Sequence, residues 1–191
     1  LVLMVAAVGF SLMTLLIKVA GQSLHVTQIL LTRQAIMAAI VSPTIFSNFP
    51  GVLRTSRPGL QALRVILAMI AMLLGFTAVI HMPLAAVTAI GFAKSFFITI
   101  LAIVILKEEI GARRWGAVIV GFIGVLIILR PGTEAFTYYG IYALVSAACV
   151  GTVLVLIRLM ARTDKPTTIL AYQALGVGFL MAIPGIWFWQ A

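Results

Sequence analysis

The chain has 191 residues, of which 63% are hydrophobic and only 9% are charged, and its formal net charge at pH 7 is +9. A soluble domain carries roughly one-quarter charged residues, so this composition excludes an ordinary water-soluble fold and indicates an integral membrane protein. The basic residues are scattered over the ends of apolar runs instead of lining one groove, so the positive charge does not indicate nucleic-acid binding.

Seven apolar runs follow one another along the chain, at residues 1–20, 25–47, 62–81, 83–106, 114–130, 138–160 and 167–189. Each approaches the roughly 20 residues that cross a hydrocarbon core as a helix. The separators between the runs are short and rich in Gly, Pro and polar residues, which is the chemistry of turns. The sequence therefore predicts an all-α, polytopic transmembrane helix bundle built from successive hairpins.

The distribution of Lys and Arg predicts how the bundle is oriented. The connections after the second, fourth and sixth runs carry nine basic residues, namely Arg54, Arg57, Arg64, Lys107, Arg113, Arg114, Arg158, Arg162 and Lys165. The other connections carry only Lys18 and Arg130. By the positive-inside rule, this bias predicts that the even-numbered connections and the N-terminus are cytoplasmic. The expected location is the bacterial inner (plasma) membrane, which the chain would cross several times.

Two cations, Arg33 and Lys94, lie inside apolar runs with no acid near them in sequence. The four acids fall at the ends of runs, where water or lipid headgroups are expected to solvate them: Glu108, Glu109, Glu134 and Asp164. A cation at the centre of a spanning helix costs roughly 2.5–3.5 kcal/mol on the insertion scale, and therefore usually faces the bundle interior or an aqueous cavity. Lys94 is thus predicted to line the cavity and bind substrate, and Arg33 to act in substrate binding or gating. The structural alternatives are snorkelling or bonds to carbonyl groups of neighbouring helices for Arg33, and a buried ion pair for Lys94.

Three further polar residues complete the predicted substrate site. Thr14 shares one face of the first helix with Ser11 and Lys18, although hydroxyl groups on such a face more often hold helices together. Tyr172 and Gln173 are the polar positions of the last run and are expected to face an open cleft.

No motif indicates a metal, a cofactor or a catalytic group. His25 and His81 have no second ligand at metal-binding spacing, and Cys149 is the only cysteine. The glycines of the fifth run are expected to allow close helix packing and not to bind phosphate, since no phosphate-loop motif surrounds them; they are Gly116, Gly121 and Gly124.

A weak internal repeat appears when the chain is offset by 140 residues. Leu16-Ile17-Lys18 then aligns with Leu156-Ile157-Arg158, and Thr27-Gln28-Ile29-Leu30 aligns with Thr167-Thr168-Ile169-Leu170. In both copies an apolar helix ends in a cation, and a short polar turn leads to a Thr-led apolar helix. If the repeated unit holds five helices, an odd number, its second copy crosses the membrane in the opposite direction.

Motifs in the fourth and fifth runs follow a recognisable family pattern. They are Pro83-Leu84-Ala85-Ala86-Val87-Thr88-Ala89-Ile90, Ile105-Leu106-Lys107-Glu108-Glu109, Arg114-Trp115-Gly116 and Gly121-Phe122-Ile123-Gly124-Val125, which continues to Arg130-Pro131-Gly132. In these motifs, and in Thr32-Arg33, the chain resembles the EamA domain of the drug/metabolite transporter superfamily. The resemblance implies a ten-helix carrier made of two inverted five-helix repeats around a central substrate cavity.

The same resemblance implies a division of the chain. Residues 1–132 would form the first five-helix repeat, and residues 133–191 the first two helices of a second repeat that is truncated after the seventh helix.

The function favoured by these observations is secondary transport of a small organic metabolite. An unpaired cation in the membrane is most readily compensated by a ligand with negative charge, so the substrate is expected to be anionic or zwitterionic. The alternative is a non-enzymatic membrane scaffold or accessory subunit, which would explain the hydrophobicity but not Lys94. The expected partners are the metabolite and the lipid bilayer, with no nucleic acid and no cofactor; assembly as a homodimer is left open. A third hypothesis, an intramembrane lipid-modifying enzyme, would need a nucleophile or an acid–base pair; no hydrolase motif is present in the sequence, which argues against an enzyme.

Overall fold

The computed structural model describes residues 2–47, 51–53, 55–107, 111–129 and 138–187. These residues form eight α-helices and one 3-10 turn at Gly51–Leu53. The helices are α1 (Val2–Ala20), α2 (Val26–Ser47), α3 (Pro58–His81), α4 (Leu84–Gly91), α5 (Lys94–Leu106), α6 (Ala112–Leu129), α7 (Tyr138–Met160) and α8 (Pro166–Trp187).

The length and composition of these helices fit a membrane. Four spans are long and apolar enough to cross it, at Val26–Ser47, Pro58–His81, Leu84–Leu106 and Tyr138–Met160. The remaining helices contain shorter apolar segments at Met4–Ala20, Trp115–Ile128 and Pro166–Ala182. None of the described residues lies in a strand. The predicted all-α, polytopic membrane bundle is confirmed.

Proline and one left-handed residue mark several helix ends. Pro58 and Pro166 are the first residues of α3 and α8, where the missing N–H of proline would have no helical partner in any case. Pro83 separates α3 from α4 in an extended conformation. Lys107 ends α5 with φ 54° and ψ 35°, a left-handed conformation that breaks the helical ladder.

The fourth predicted span is interrupted at Phe92 and Ala93, immediately before Lys94. The N–H groups of Phe92 and Ala93 donate to the carbonyl groups three residues earlier, at 3.1 and 2.9 Å. This tighter winding resembles a 3-10 turn, which in the middle of a helix often marks a hinge. The break makes Lys94 the first residue of a separate helix, α5.

The most extensive helix pairing joins α3 to α7, and small residues face each other there. A Cβ added to Gly75 would lie 2.7 Å from the Ser146 hydroxyl oxygen, so the two helices approach too closely for a larger residue without a shift. The Ser146 hydroxyl donates a hydrogen bond of 2.7 Å to the carbonyl oxygen of Ala71. Small residues with an interhelical hydrogen bond are the usual contact between helices in lipid.

Three clusters of buried apolar side chains fill the space around this crossing. The first joins α3, α4, α6 and α7 through Ala78, Ile90, Ala93, Val125, Ala143 and Ala147. The second joins α2, α3 and α8 through Leu30, Val65, Ala68, Val177 and Met181. The third joins α7 to α8 through Leu156, Met160 and Ile169. The two most extensive pairings, α3 with α7 and α2 with α8, both link the predicted first repeat to the predicted second.

The α1–α2 and α7–α8 turns have the same geometry at a separation of 140 residues. Helix α1 ends at residue 20 and α2 begins at residue 26, while α7 ends at residue 160 and α8 begins at residue 166. The turn hydrogen bonds also correspond, since Leu24 N–H donates to Ala20 at 2.9 Å and Asp164 N–H donates to Met160 at 2.8 Å.

The glycines of α6 do not make the close contacts expected of them. No described atom of another element lies within 4 Å of a Cβ built at Gly116, Gly121 or Gly124. Close approach occurs instead at glycines such as Gly151 of α7, where a Cβ would lie 3.0 Å from the Cβ of Phe97 and 3.1 Å from the carbonyl oxygen of Lys94. Gly151 therefore fixes the distance between α7 and α5.

Replacing Gly151 with Leu should destabilise the bundle, because the new side chain meets backbone and Cβ atoms that cannot rotate away. Overpacking of this kind costs about 1–3 kcal/mol, so the melting temperature in detergent should fall by about 3–10 °C. Gly116→Leu is the matched control, since no described atom of another element lies within 4 Å of a Cβ built at Gly116. Equal melting temperatures for the two variants would show that α5 and α7 do not approach as described.

Candidate functional site

Two neutral side chains of α3 contact the guanidinium group of Arg33. Its Nη1 donates to the sulfur of Met72 at 3.6 Å, and its guanidinium carbon lies 5.9 Å from the ring centre of Phe76. Met72 and Phe76 are one helical turn apart and so present one face of α3 to the guanidinium. These weak contacts orient the cation without neutralising it.

A cleft between α1 and α2 exposes Arg33 to a space of about 460 Å³. Its walls are one face of each helix and the end of the turn between them: Gly9, Leu12, Met13, Leu16, Ile17, Ala20, Leu24, Ile29, Thr32, Arg33 and Ile36. Apart from Arg33 and Thr32, these side chains are apolar. An apolar cleft of a few hundred Å³ with one or two polar groups is the usual form of a small-molecule site.

The α1 wall of this cleft is anchored by Lys18. The Lys18 ammonium group donates to the carbonyl oxygens of Val79, at 3.3 Å, and of Met82, at the C-terminal end of α3. A cation at this position complements the partial negative charge of the helix end. Beside it, a Cβ on Gly21 would lie 2.3 Å from the Ile80 side chain, so the turn also packs tightly on α3.

Arg33 lies seven residues beyond Val26, the first residue of α2, and thus roughly 10 Å along the helix axis. The only acid among the described residues is Asp164, and other groups hold its carboxylate. Arg33 is therefore a half-buried cation that faces an apolar cleft with no counter-ion among the described residues.

Lys94, the other predicted cation, does not line this cleft. It is exposed at the start of α5, and its backbone carbonyl group faces Gly151 of α7. The described residues form no single site that contains both Arg33 and Lys94, and a role of Lys94 in substrate binding stays a prediction.

The remaining predicted site residues lie elsewhere. Thr14 uses its hydroxyl within its own helix, donating to the carbonyl oxygen of Phe10 at 2.8 Å. Tyr172 donates its hydroxyl to the carbonyl oxygen of Leu53 at 2.9 Å, and so ties α8 to the 3-10 turn. The Gln173 side chain has a buried oxygen atom with no hydrogen-bond partner among the described residues. Substrate binding by Thr14, Tyr172 or Gln173 likewise stays a prediction.

Asp164 was expected to be solvated, and that expectation is wrong. Its side chain is only 7% exposed, and its carboxylate accepts hydrogen bonds from the hydroxyl of Thr55, the N–H of Ser56 at 3.1 Å and the Gln61 amide at 3.2 Å. Burial by itself raises the pKa of Asp164, but these hydrogen bonds outweigh that effect, so the pKa lies below its ordinary value. Asp164 is thus a buried, ionised group that joins the α7–α8 turn to the start of α3.

Arg64 was also assigned to a connection and is instead a buried residue of α3. It is 3% exposed, and its Nη1 donates to the carbonyl oxygen of Ile169 at 3.0 Å. Gln34, on α2, is equally buried and donates through Nε2 to the carbonyl oxygens of Gln173 and Ala174, at 3.0 and 3.1 Å. The sequence did offer a signal that Gln34 and Arg64 are buried and bonded to another helix, since each is a polar residue within an apolar run.

Comparison of the sequence with known proteins identifies the family of the chain. Residues 1–130 match the EamA-like transporter family. The chain belongs to this family. No solved structure gives a significant match to the chain.

Three curated relatives illustrate the range of this family. A riboflavin transporter of Brucella anthropi is 30% identical over 141 residues, which cover 73% of this chain and 50% of the relative. An S-adenosylmethionine uptake transporter of Rickettsia felis is 27% identical over 158 residues, or 83% of this chain and 54% of the relative. The pseudopaline exporter CntI of Pseudomonas aeruginosa is 27% identical over 190 residues, or 98% of this chain and 66% of the relative. The chain thus spans about half the length of the first two relatives.

The Asp164 contacts predict a defined dependence of stability on pH. Because the pKa of Asp164 is lower in the folded protein, its contribution is fully present above the ordinary carboxyl pKa and is lost as the pH falls through the folded-state pKa. Asp164→Asn should lower the melting temperature in detergent by about 3–10 °C near neutral pH. The difference from the parent should stay constant from about pH 5 to 8 and shrink below about pH 4. A difference that grows on acidification would contradict an ionised Asp164.

Proposed function

We propose that this chain forms part of a secondary carrier that moves a small organic metabolite across the bacterial inner membrane. Membership of the EamA-like transporter family supports a carrier over a scaffold or an enzyme. The three relatives described above are named for uptake or export of small organic molecules, in keeping with a metabolite as the cargo. The four long apolar spans support a multi-pass membrane location.

The observation that carries the proposed substrate class is the environment of Arg33. Its partners are a thioether and an aromatic ring, and the cleft beside it is almost entirely apolar. A cation in such surroundings gains most from a ligand that brings negative charge, since apolar groups solvate a charge poorly. We infer a substrate with an anionic group, as an acid or a zwitterion, whose apolar part contacts the aliphatic walls of the cleft.

The proposed architecture follows the 140-residue correspondence. The matching turns and helix ends support the assignment of residues 1–132 to one repeat and of residues 133–191 to the start of a second. An odd number of helices per repeat would invert the second copy. The excess of Lys and Arg in the even-numbered connections supports a cytoplasmic N-terminus.

Substitution of Arg33 should test the substrate class directly. In the intact carrier, reconstituted in liposomes, uptake of labelled monocarboxylates, amino acids and quaternary amines would be compared. Arg33→Gln should lower the uptake of the preferred acid or zwitterion by about 10-fold to 100-fold at subsaturating concentration, because one charged hydrogen bond is lost. Arg33→Lys should rescue it only in part, since an ammonium group cannot bind a carboxylate in a bidentate manner.

Two further variants complete this experiment. Arg113→Gln removes an exposed cation outside the cleft and should leave uptake unchanged. Lys94→Met shows whether Lys94 acts on the same substrate, because it removes the ammonium group and keeps the length of the side chain. Preference for quaternary amines, or full uptake by Arg33→Gln, would refute the anionic substrate.

A further inference from the structure

Hydrogen bonds across one end of the bundle join two parts of the chain that are far apart in sequence. One side consists of Leu53, Thr55, Ser56, Gln61 and Arg64, around the start of α3, and the other of Asp164, Ile169 and Tyr172, around the start of α8. We call these residues the Asp164 latch. Partners on the two sides are between 103 and 119 residues apart.

Asp164 is the centre of the latch. One carboxylate oxygen accepts from the Thr55 hydroxyl and the Gln61 amide, and the other accepts from the Ser56 N–H. The first turn of α3 has no acid, and its N-cap residue Arg57 makes no capping bond with its side chain. Asp164 supplies the negative charge that this helix end lacks, from a different hairpin.

Two flanking contacts close the same seam. Arg64 donates to the carbonyl oxygen of Ile169 at 3.0 Å, and Tyr172 donates to the carbonyl oxygen of Leu53 at 2.9 Å. In both contacts, a side chain on one side of the latch binds a backbone oxygen on the other side. Separation of the α2–α3 hairpin from the α7–α8 hairpin would therefore break the hydrogen bonds of Asp164, Arg64 and Tyr172 together.

The polarity of the latch distinguishes it from the packing deeper in the bundle. The core around α2, α3 and α8 is formed by apolar side chains such as Leu30, Val65 and Met181. Separating apolar side chains in water is costly, whereas water can replace hydrogen bonds between polar groups at small net cost. A polar seam at the end of an apolar bundle is thus the part that can open without exposing the core.

Two buried atoms favour that opening. The side-chain oxygen of Gln61 and Nε of Arg64 have no hydrogen-bond partner among the described residues, although Gln61 is 0% and Arg64 3% exposed. A buried polar atom without a partner disfavours the closed form, and contact with water relieves this cost. Opening of the seam would let water reach both atoms.

We propose that the Asp164 latch is a gate at this end of the carrier, closed when its hydrogen bonds are formed, and that it must open for the substrate to pass. The inference rests on the proposed transport function and adds to it a structure that controls the passage of substrate at one end of the carrier. In the proposed topology the latch faces the cytoplasm, since it joins the second and sixth connections.

Opening of the gate can be measured without any substrate. In a Cys149→Ala background, Thr168→Cys places a reporter thiol at a position that is 2% exposed, in the first turn of α8. We expect N-ethylmaleimide to label this thiol slowly in membranes, and Asp164→Asn to accelerate labelling about tenfold or more. Lys165→Gln, a change of the exposed charge next to Asp164, should leave the rate unchanged. Equal labelling rates with and without Asp164→Asn would overturn the latch.

A cross-link tests whether opening is required. Thr55 and Asp164 are in hydrogen-bond contact, so Thr55→Cys with Asp164→Cys, also in the Cys149→Ala background, should be joined by copper phenanthroline or a short bis-thiosulfonate. Uptake of the preferred acid or zwitterion should stop on cross-linking and return on reduction. Each single-cysteine variant should be insensitive to the same treatment.

The outcomes separate the gate from the transport function. Undiminished uptake by the cross-linked protein would overturn the gate and leave the transport proposal intact. If the intact carrier without any substitution takes up no class of substrate, the transport proposal is refuted, and the gate with it, whatever the labelling rates. The gate and the transport function would both be supported by three results together. These are slow labelling of Thr168→Cys, faster labelling when Asp164→Asn is added, and arrest of uptake by the cross-link that reduction reverses.

Discussion

The close crossing of α3 and α7 is the contact on which the rest of the bundle depends. In lipid, apolar side chains gain little by leaving one apolar medium for another, so helices associate where small residues let their backbones approach and polar groups can bond. Gly75, Ala71 and Ser146 meet both requirements. With α3 held in this way, its middle orients Arg33, its N-terminal turns carry half of the Asp164 latch, and its C-terminal carbonyl groups anchor α1.

Hydropathy was sufficient to predict the helices, because length and apolar composition decide which segments can cross a bilayer. The break at Phe92 and Ala93 was not predicted, since a helix can wind tightly for one turn without a proline, and Gly91 alone is a weak signal. Helix contacts were harder still to predict. The glycines of α6 have the spacing of a packing face, but the tight contacts occur at Gly75 and Gly151, and a single sequence does not show which helices will be neighbours.

The candidate site was predictable only in part, for a related reason. The sequence shows that Arg33 and Lys94 lie inside apolar runs, but their partners depend on the rotation and packing of the helices. The role of Asp164 was missed because a carboxylate at the end of a membrane helix is normally solvated. Its partners Thr55 and Ser56 precede it by more than a hundred residues, and nothing local in the sequence links them.

The crossing of α2 and α8 has an evolutionary consequence. Gln34 donates to the backbone oxygen of Ala174, which is 140 residues further along the chain. In the proposed repeat, Ala174 is therefore the position in the second copy that corresponds to Gln34 in the first. In an ancestral dimer of two identical units, such a position would have faced itself across a two-fold axis, and one residue type would have had to fit both sides. A long amide at one position that donates to the backbone oxygen of an alanine at the other becomes available only once the two copies are fused and free to diverge. Under the proposed repeat, Gln34 and Ala174 would therefore be equivalent positions that have become different and now complement each other.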